Sequence, residues 1–443
     1  MTRLGYLVLV GIWVGCGPSV EDQLEQLGNA GQDVAIQELL LQPKRSVGPL
    51  LQAMDDPRFE RAHPVMAEVL VMLMLRIDDE NLVGEIRRHL TSHPNPRVRG
   101  RIAYKLGMLK RAEFSDALME VVRDTVSEPR FEALKTLNII SKKLPEGLGE
   151  ELDELAQELA RSEHNGVRLE AMLRLEVQVD AMLDEATQQV AKAQLAEAES
   201  LYAKALEYAP LSWKARYRQA RFFMDNVEKE RGLEKMLEIG AALSVPVLKQ
   251  APVIDDGRLD DPAWGQATQA PFPFLGYRGQ VLPADMESRV YVGRTKDDLY
   301  LGFYSYDAMP DSLLAEKTQR DDQVYLEDSV EIFLDANLDW RSYVQIIVNS
   351  VGTIFDAAHE NGLRTQDRSW SVEMEVDTHI GADFWSLECR IPFAQKNLLA
   401  PKSGDVWGAN FTRDFRDKAH SSQWVYTYGE YHQVGSFGLL LFE

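Results

Sequence analysis

Four times in its first 171 residues the chain returns to one short pattern: "DPRFERA" from Asp56, "NPRVRGR" from Asn95, "EPRFEAL" from Glu128 and "NGVRLEA" from Asn165, at intervals of 39, 33 and 37 residues. Recurrence at such a period belongs to arrays whose units bury their apolar faces only against one another. Each copy opens on a Pro or Gly turn signal and runs into apolar residues at helical spacing, as in "VRGRIAYKLGML" with Ile102, Leu106 and Leu109. Between copies, "ENLVGEIRRHLTS" and "FSDALMEVVRDT" supply partner helices. A solenoid of helical hairpins is predicted over residues 16–180.

In its turn-Pro and following Arg the pattern resembles HEAT repeats. Beyond residue 180 the phrase "AEAESLYAKALEYAP", with Ala198, Tyr202, Ala205 and Pro210, resembles the second helix of a tetratricopeptide repeat, and "SWKARYRQARFF" the start of a following unit. One full repeat is legible, so residues 181–245 read either as a helical bridge or as part of a peptide-binding array. Pro246 and Pro252 in "LSVPVLKQAP" predict a linker over 246–252. Alternating runs then take over in "SRVYVGRT", "DLYLGFYSYD", "VEIFLD", "YVQIIVNS" and "WSLECRIPF", the signature of a β-sandwich over 253–443. The expected fold class is therefore multidomain, α then β: an α-solenoid followed by a β-sandwich.

Within the strand region, "VYLEDSVEIFLD" at 324–335 carries four acids where a half-buried strand favours apolar side chains. Strand parity puts Val330, Ile332 and Leu334 on one face and Ser329, Glu331, Phe333 and Asp335 on the other. The second face suits metal coordination, carboxylate catalysis or recognition of a hydroxyl-rich ligand.

Six ordered segments, "VIDDGRLDDPAWGQA", "DDLYLGFYSYD", "DSVEIFLD", "WSLECRIPF", "GDVWGANFTRDFR" and "GSFGLLLF", resemble carbohydrate-binding module family 9 and its DOMON-like relatives. The resemblance implies a non-catalytic site in which two aromatic rings enclose the end of a glycan. Carried onto this chain, the rings fall on Tyr325 and Trp424 and the binding glutamate on Glu331. The family's helper Arg is replaced by Ile347, and Arg413 in "NFTRDFR" is a candidate guanidinium from another strand. Structural calcium is also implied, with Asp328 and Asp335 as carboxylates either for such an ion or for backbone turns; no other cofactor is expected. Trp424 reads equally as a cap on the core, and Glu331 as an ion-pair partner of Arg413. Trp264, Trp385, Trp407 and Cys389 read as core, and Trp370 as either. Haem ligation, which relatives of this fold perform, keeps Met309 as an alternative ligand. A protein-interaction scaffold with a decayed sugar site is the other alternative.

Enzyme chemistry lacks its signatures. A retaining glycosidase places two carboxylates about 5–5.5 Å apart, and Glu331 has no carboxylate neighbour on its face. Phosphate loops, zinc-ligand pairs and nucleophile elbows are missing from the sequence. A net charge of −22 excludes a phosphate-backbone partner. Partners are expected to be a glycan or polysaccharide, with a protein on the helical repeats.

At the N-terminus, Arg3 precedes an apolar run at 4–14, shorter than the roughly 20 residues of a membrane span and of signal-peptide length. It ends in "WVGCGPS", which resembles the lipobox of bacterial lipoproteins despite Trp13 where Leu is usual. The resemblance implies a signal peptide over residues 1–15, lipidation at Cys16, and attachment to the membrane through that lipid. Gly17 in place of the inner-membrane Asp signal implies the outer membrane of the envelope. With Cys16 lipidated, Cys389 has no thiol to pair with inside the chain.

Overall fold

The computed structural model describes residues 19–29, 32–275, 287–360, 365–415, 420–428 and 430–443. Cys16 lies outside the described residues. The chain divides into two compact units, residues 1–184 with 204–212, and residues 185–203 with 213–443.

The helical elements are α1 (Val20–Gln26), α2 (Gln32–Leu41), α3 (Pro43–Met54), α4 (His63–Leu73), α5 (Glu80–Ser92), α6 (Pro96–Met108), α7 (Ser115–Val122), α8 (Ser127–Ile139), α9 (Leu148–Leu159) and α10 (Asn165–Ala191). They continue with α11 (Leu195–Tyr208), α12 (Trp213–Asn226) and α13 (Lys229–Glu238). The repeat motif marks helix starts. Asn95 caps α6, its side chain accepting from Arg97 N, with Pro96 in the first turn, where a missing N–H costs nothing. In the first copy the same Pro instead builds a 3-10 turn, Pro57–Phe59, and α4 begins at His63.

An arginine at the fourth position of α6, α8 and α10 repeats one task. Arg99 donates to His93 O at 2.5 Å, Arg130 to Asp124 O at 3.0 Å and Arg168 to Ser162 O at 2.9 Å. In each case it reaches back six residues and ties the helix to its own entry turn. Arg99 also pairs with Asp124 across repeats at 2.6 Å, both side chains largely buried. The helices approach closely at Gly107, where a Cβ would stand 2.3 Å from Thr136 Oγ1, and that hydroxyl donates to Ala103 O at 2.8 Å.

The second unit contains β1 (Ala242–Val245), β2 (Thr268–Pro271), β3 (Phe274–Leu275), β4 (Ser288–Arg294), β5 (Asp298–Tyr306), β6 (Ser329–Asp335) and β7 (Ser342–Asn349). It continues with β8 (Ile354–Glu360), β9 (Thr365–Asp367), β10 (Glu375–Ile380), β11 (Phe384–Pro392), β12 (Val406–Phe415), β13 (His420–Gln423) and β14 (Gly438–Phe442). One sheet runs β1-β14-β12-β6-β7-β8-β9, with β13 pairing β12 and β3; the other runs β10-β11-β5-β4-β2. Their facing side chains, including Val330, Ile332, Leu334, Phe303, Trp385, Leu387 and Cys389, form one core. Cys389 is fully buried, and burial pushes its thiol up to about 12, so it packs as an inert hydrophobe.

The sandwich begins earlier than the strand signals suggest. β1 pairs in parallel with β14, and the segment expected as a linker is packed: Val247 bridges Arg294 and Leu248 is buried. Helix α12 belongs to the same unit. Tyr217 Oη donates to Phe437 O at 2.6 Å, and Trp213 packs on Phe274 with ring centroids 4.7 Å apart.

Candidate functional site

Parity on β6 is as the alternation requires: Val330, Ile332 and Leu334 enter the core, and Glu331 lies on the outer face of the larger sheet. In register, Glu331 stands opposite Ile347 on β7 and Thr412 on β12. Ile347 thus holds the neighbouring-strand position and offers no donor. The donor comes diagonally, from Gln345 Nε2 to Glu331 Oε2 at 2.8 Å.

That contact orients everything beyond it. With its amide NH2 committed to a carboxylate, Gln345 presents Oε1, so His359 Nε2 at 3.0 Å must carry a proton and donate. The His359 ring stacks on Tyr343 at 4.8 Å and 5°. Tyr343 Oη lies 2.6 Å from His432 Nδ1. Burial, then the neighbouring His359, lowers the His432 pKa to about 4, while burial and Glu331 raise that of Tyr343. The phenol therefore keeps its proton and donates it to a neutral imidazole. Tyr431, Val434 and Phe437 cover Phe333 and Tyr343 at this end of the face.

On the other side, Asn410 Nδ2 donates to Gln423 Oε1 at 3.2 Å and to Val425 O at 3.1 Å, and Thr427 Oγ1 donates to the same Gln423 oxygen at 3.0 Å. Thr412 Oγ1, directly across from Glu331, is buried without a hydrogen-bond partner. Such a hydroxyl is costly unless something else satisfies it. Tyr325, in the turn before β6, is half-buried and meets Phe355 edge-on at 5.5 Å, above Ile347.

The remaining acids of the stretch anchor loops. Glu327 Oε1 accepts from Glu316 N at 2.7 Å and Lys317 N at 2.9 Å, and its Oε2 from Asn349 Nδ2 at 2.9 Å. Asp328 accepts from Leu314 N at 2.9 Å. Asp335 accepts from Trp340 N at 2.9 Å, and burial raises its pKa to about 6. Asp328 and Asp335, the carboxylates expected for calcium or for backbone turns, thus both accept from backbone N–H groups, and among the described residues no group of three or more His, Cys, Asp or Glu side chains is placed to hold a metal ion.

Two expected ligand residues are placed inside the fold. Trp424 is 2% exposed; its ring packs on Phe411 and its Nε1 donates to Gly240 O at 2.9 Å, which leaves no free face for a sugar. Arg413 is 0% exposed and pairs with Asp307, not Glu331, at 3.1 Å, also donating to Tyr306 O at 2.7 Å. β12 turns Arg413 toward the core because it stands one residue from Thr412, on the opposite parity. Tyr325 and Glu331 remain on one face, but Glu331 is itself only 4% exposed. Met309 is exposed in a turn held by Asp307. Trp264, Trp385, Trp407 and Trp370 are all buried. Gln345, His359 and Thr412 escaped the sequence reading; the signal available was their parity, Gln345 and Thr412 on the strands flanking β6 and His359 on β8, one strand further out.

No protein-family model and no curated protein sequence matches the chain. Among solved structures it is similar to a carbohydrate binding module family 9 protein from Caldicellulosiruptor kristjanssonii in complex with cellotriose, at 19% identity over 46% of this chain and 93% of that one, TM-score 0.35. The glucose complex of a family 9 module from that organism gives 19% identity over 45% and 96%, TM-score 0.34. The complex of CpcE and CpcF of phycocyanin lyase from Nostoc sp. PCC7120 gives 15% identity over 53% and 98%, TM-score 0.26. Family 9 likeness falls on the C-terminal half and helical-repeat likeness on the N-terminal half. At these values the likeness is one of architecture and fixes no ligand, residue role or activity.

Proposed function

We propose that the β-sandwich binds carbohydrate without cleaving it, through the outer face of its larger sheet at Glu331, Gln345, His359 and Thr412, with Tyr325 as the flanking ring. The observation that carries this reading is the buried, unpartnered Thr412 hydroxyl beside Glu331, at the end of an oriented amide-imidazole row. Sugar hydroxyls both donate and accept, so one ligand can satisfy a carboxylate and an orphan hydroxyl together. Hydrogen bonds to a charged partner contribute about 1.5–3 kcal/mol each. The helical repeats serve as spacer or docking surface.

Calorimetry of the full chain against mono- and oligosaccharides, beside a haem titration followed by absorbance, tests the reading. Glu331→Gln keeps shape but removes charge, and is expected to change which sugars are preferred. The burial of Trp424 and Arg413, and of Glu331, Gln345, His359 and Thr412 themselves at 4% exposure or less, favours one second reading, a scaffold whose sugar site has decayed. Absence of heat from any sugar on folded protein would support that scaffold and sink the first reading; a Soret band on adding haem would point to electron transfer. We further propose that the protein is an envelope lipoprotein attached through Cys16, so Cys16→Ser should move it from the membrane to the soluble fraction. Unchanged fractionation would refute the anchor.

A further inference from the structure

The inner face of the larger sheet, core over most of its width, lines a cleft of about 630 Å³ opposite the turn that follows β11. That volume is in the range of small-molecule sites. Two cross-strand rows build the sheet side, and register fixes their chemistry. Leu334, Val344, Ala358 and Asp367 stand side by side on β6 to β9, apolar until the last strand. Nearer the strand ends and on the same face, Ser342, Glu360 and Thr365 form a second row, wholly polar. The opposite wall is held by its own bonds: Leu398 N donates to Gln395 O at 3.0 Å, Gln395 Nε2 to Pro392 O at 2.6 Å, and Trp370 Nε1 to Lys396 O at 3.0 Å. This wall adds Lys396, Asn397 and Leu399, all exposed. Lys396, the one Lys or Arg among the lining residues, faces Asp367 at 3.7 Å. The Glu360 carboxylate, the Thr365 hydroxyl and the Asn397 amide are exposed and bond to no other described side chain.

We infer that this cleft is a second ligand site, for a small saccharide whose apolar C–H face meets Ala358 and Leu399 and whose hydroxyls meet Glu360, Thr365 and Asn397. The inference deepens the carbohydrate reading of the sandwich and rests on it, but uses none of the residues of the outer face. The uncommitted groups select the ligand class. An anion would meet the Glu360 carboxylate and find the one nearby lysine already paired. A hydrocarbon would strip water from a carboxylate, a hydroxyl and an amide and replace none of their hydrogen bonds. An ammonium group would answer Glu360 but can accept nothing from Thr365 or Asn397. Hydroxyl groups donate to the carboxylate and both donate to and accept from the other two. Unlike Glu331 and its neighbours, these three side chains reach a ligand without any opening of the fold.

The test is calorimetry of the full chain with gluco-, xylo-, manno- and chito-saccharides of one to three rings. Thr365→Trp, at an exposed position on an edge strand that accepts aromatic residues, fills the mouth of the cleft. Glu360→Ala removes the charged acceptor and, being a surface change, keeps the test open if Thr365→Trp does not fold. Each variant should weaken saccharide binding at one site by about tenfold or more. Binding that is lost in Thr412→Val yet intact in both cleft variants would overturn this inference and leave the outer-face reading standing. No heat from any saccharide on folded parent protein would overturn both. Heat from hexylamine or hexanoate that Glu360→Ala alters, with saccharide binding indifferent to both cleft variants, would assign the cleft to another ligand class and overturn the inference as well.

Discussion

Replacing Trp424 with Ala separates a structural ring from a ligand platform. In the fold the indole is 2% exposed, lies against Phe411, and sits so close to β14 that a Cβ on Gly438 would stand 2.7 Å from its ring. Its Nε1 holds the Gly240 carbonyl at the end of the helical segment. Removing such a side chain costs about 3–5 kcal/mol, because the surrounding backbone cannot collapse into the space. For a unit of this size that is a fall of roughly 6–20 °C in melting temperature. Trp424→Phe keeps most of the volume and loses the N–H, so its cost should be near 1 kcal/mol. Thermal unfolding followed by near-UV circular dichroism, with saccharide calorimetry on the same samples below the transition, reads both effects. A Trp424→Ala protein that melts with the parent yet loses all sugar heat would show that the ring is a platform after all and that its burial was misjudged.

Two further outcomes follow from burial and long-range pairing. His89 is 1% exposed; burial, then the Arg88 guanidinium and His93, outweigh the opposing pull of Asp55 and Glu85 and lower its pKa from 6.5 to about 4. Arg88 Nη2 already faces His89 Nε2 at 3.0 Å, so a second ring proton would meet a cation. Because the folded pKa lies below the unfolded one, this neutral His contributes stability above pH 6.5 that is lost as the pH falls toward 4. By pH 5 the loss is about 2 kcal/mol. Urea titrations of the helical transition at pH 7 and pH 5 should show it, and an unchanged pH dependence in His89→Gln would contradict it. Separately, a fragment of residues 253–443 lacks β1 and the Tyr217 and Gly240 partners, and should melt below a fragment of residues 185–443 and bind more of an apolar dye; equal melting would refute the structural role given to α12, α13 and β1.

What the sequence determined is what depends on neighbours within a few residues. Helix starts follow from Asn95 and Pro96, the solenoid from the recurrence of its turn motif, and the outward face of Glu331 from the two-residue period of a strand. The sandwich itself was legible because alternation and turn signals are local too. What the tertiary structure decided lies between distant residues. Trp424 meets Gly240 across 184 residues and so leaves the site that its local context allowed, while Arg413, already turned inward by the parity of its own strand, finds its partner Asp307 106 residues away. Local pattern records that a side chain lies off the core face of its own strand, but whether a distant helix or strand then covers it is a matter of packing. The same holds for the site. Gln345 reaches Glu331 only because β6 and β7 pair in a register that sets them diagonally, and Thr412 becomes an orphan only once β12 lies on the other side.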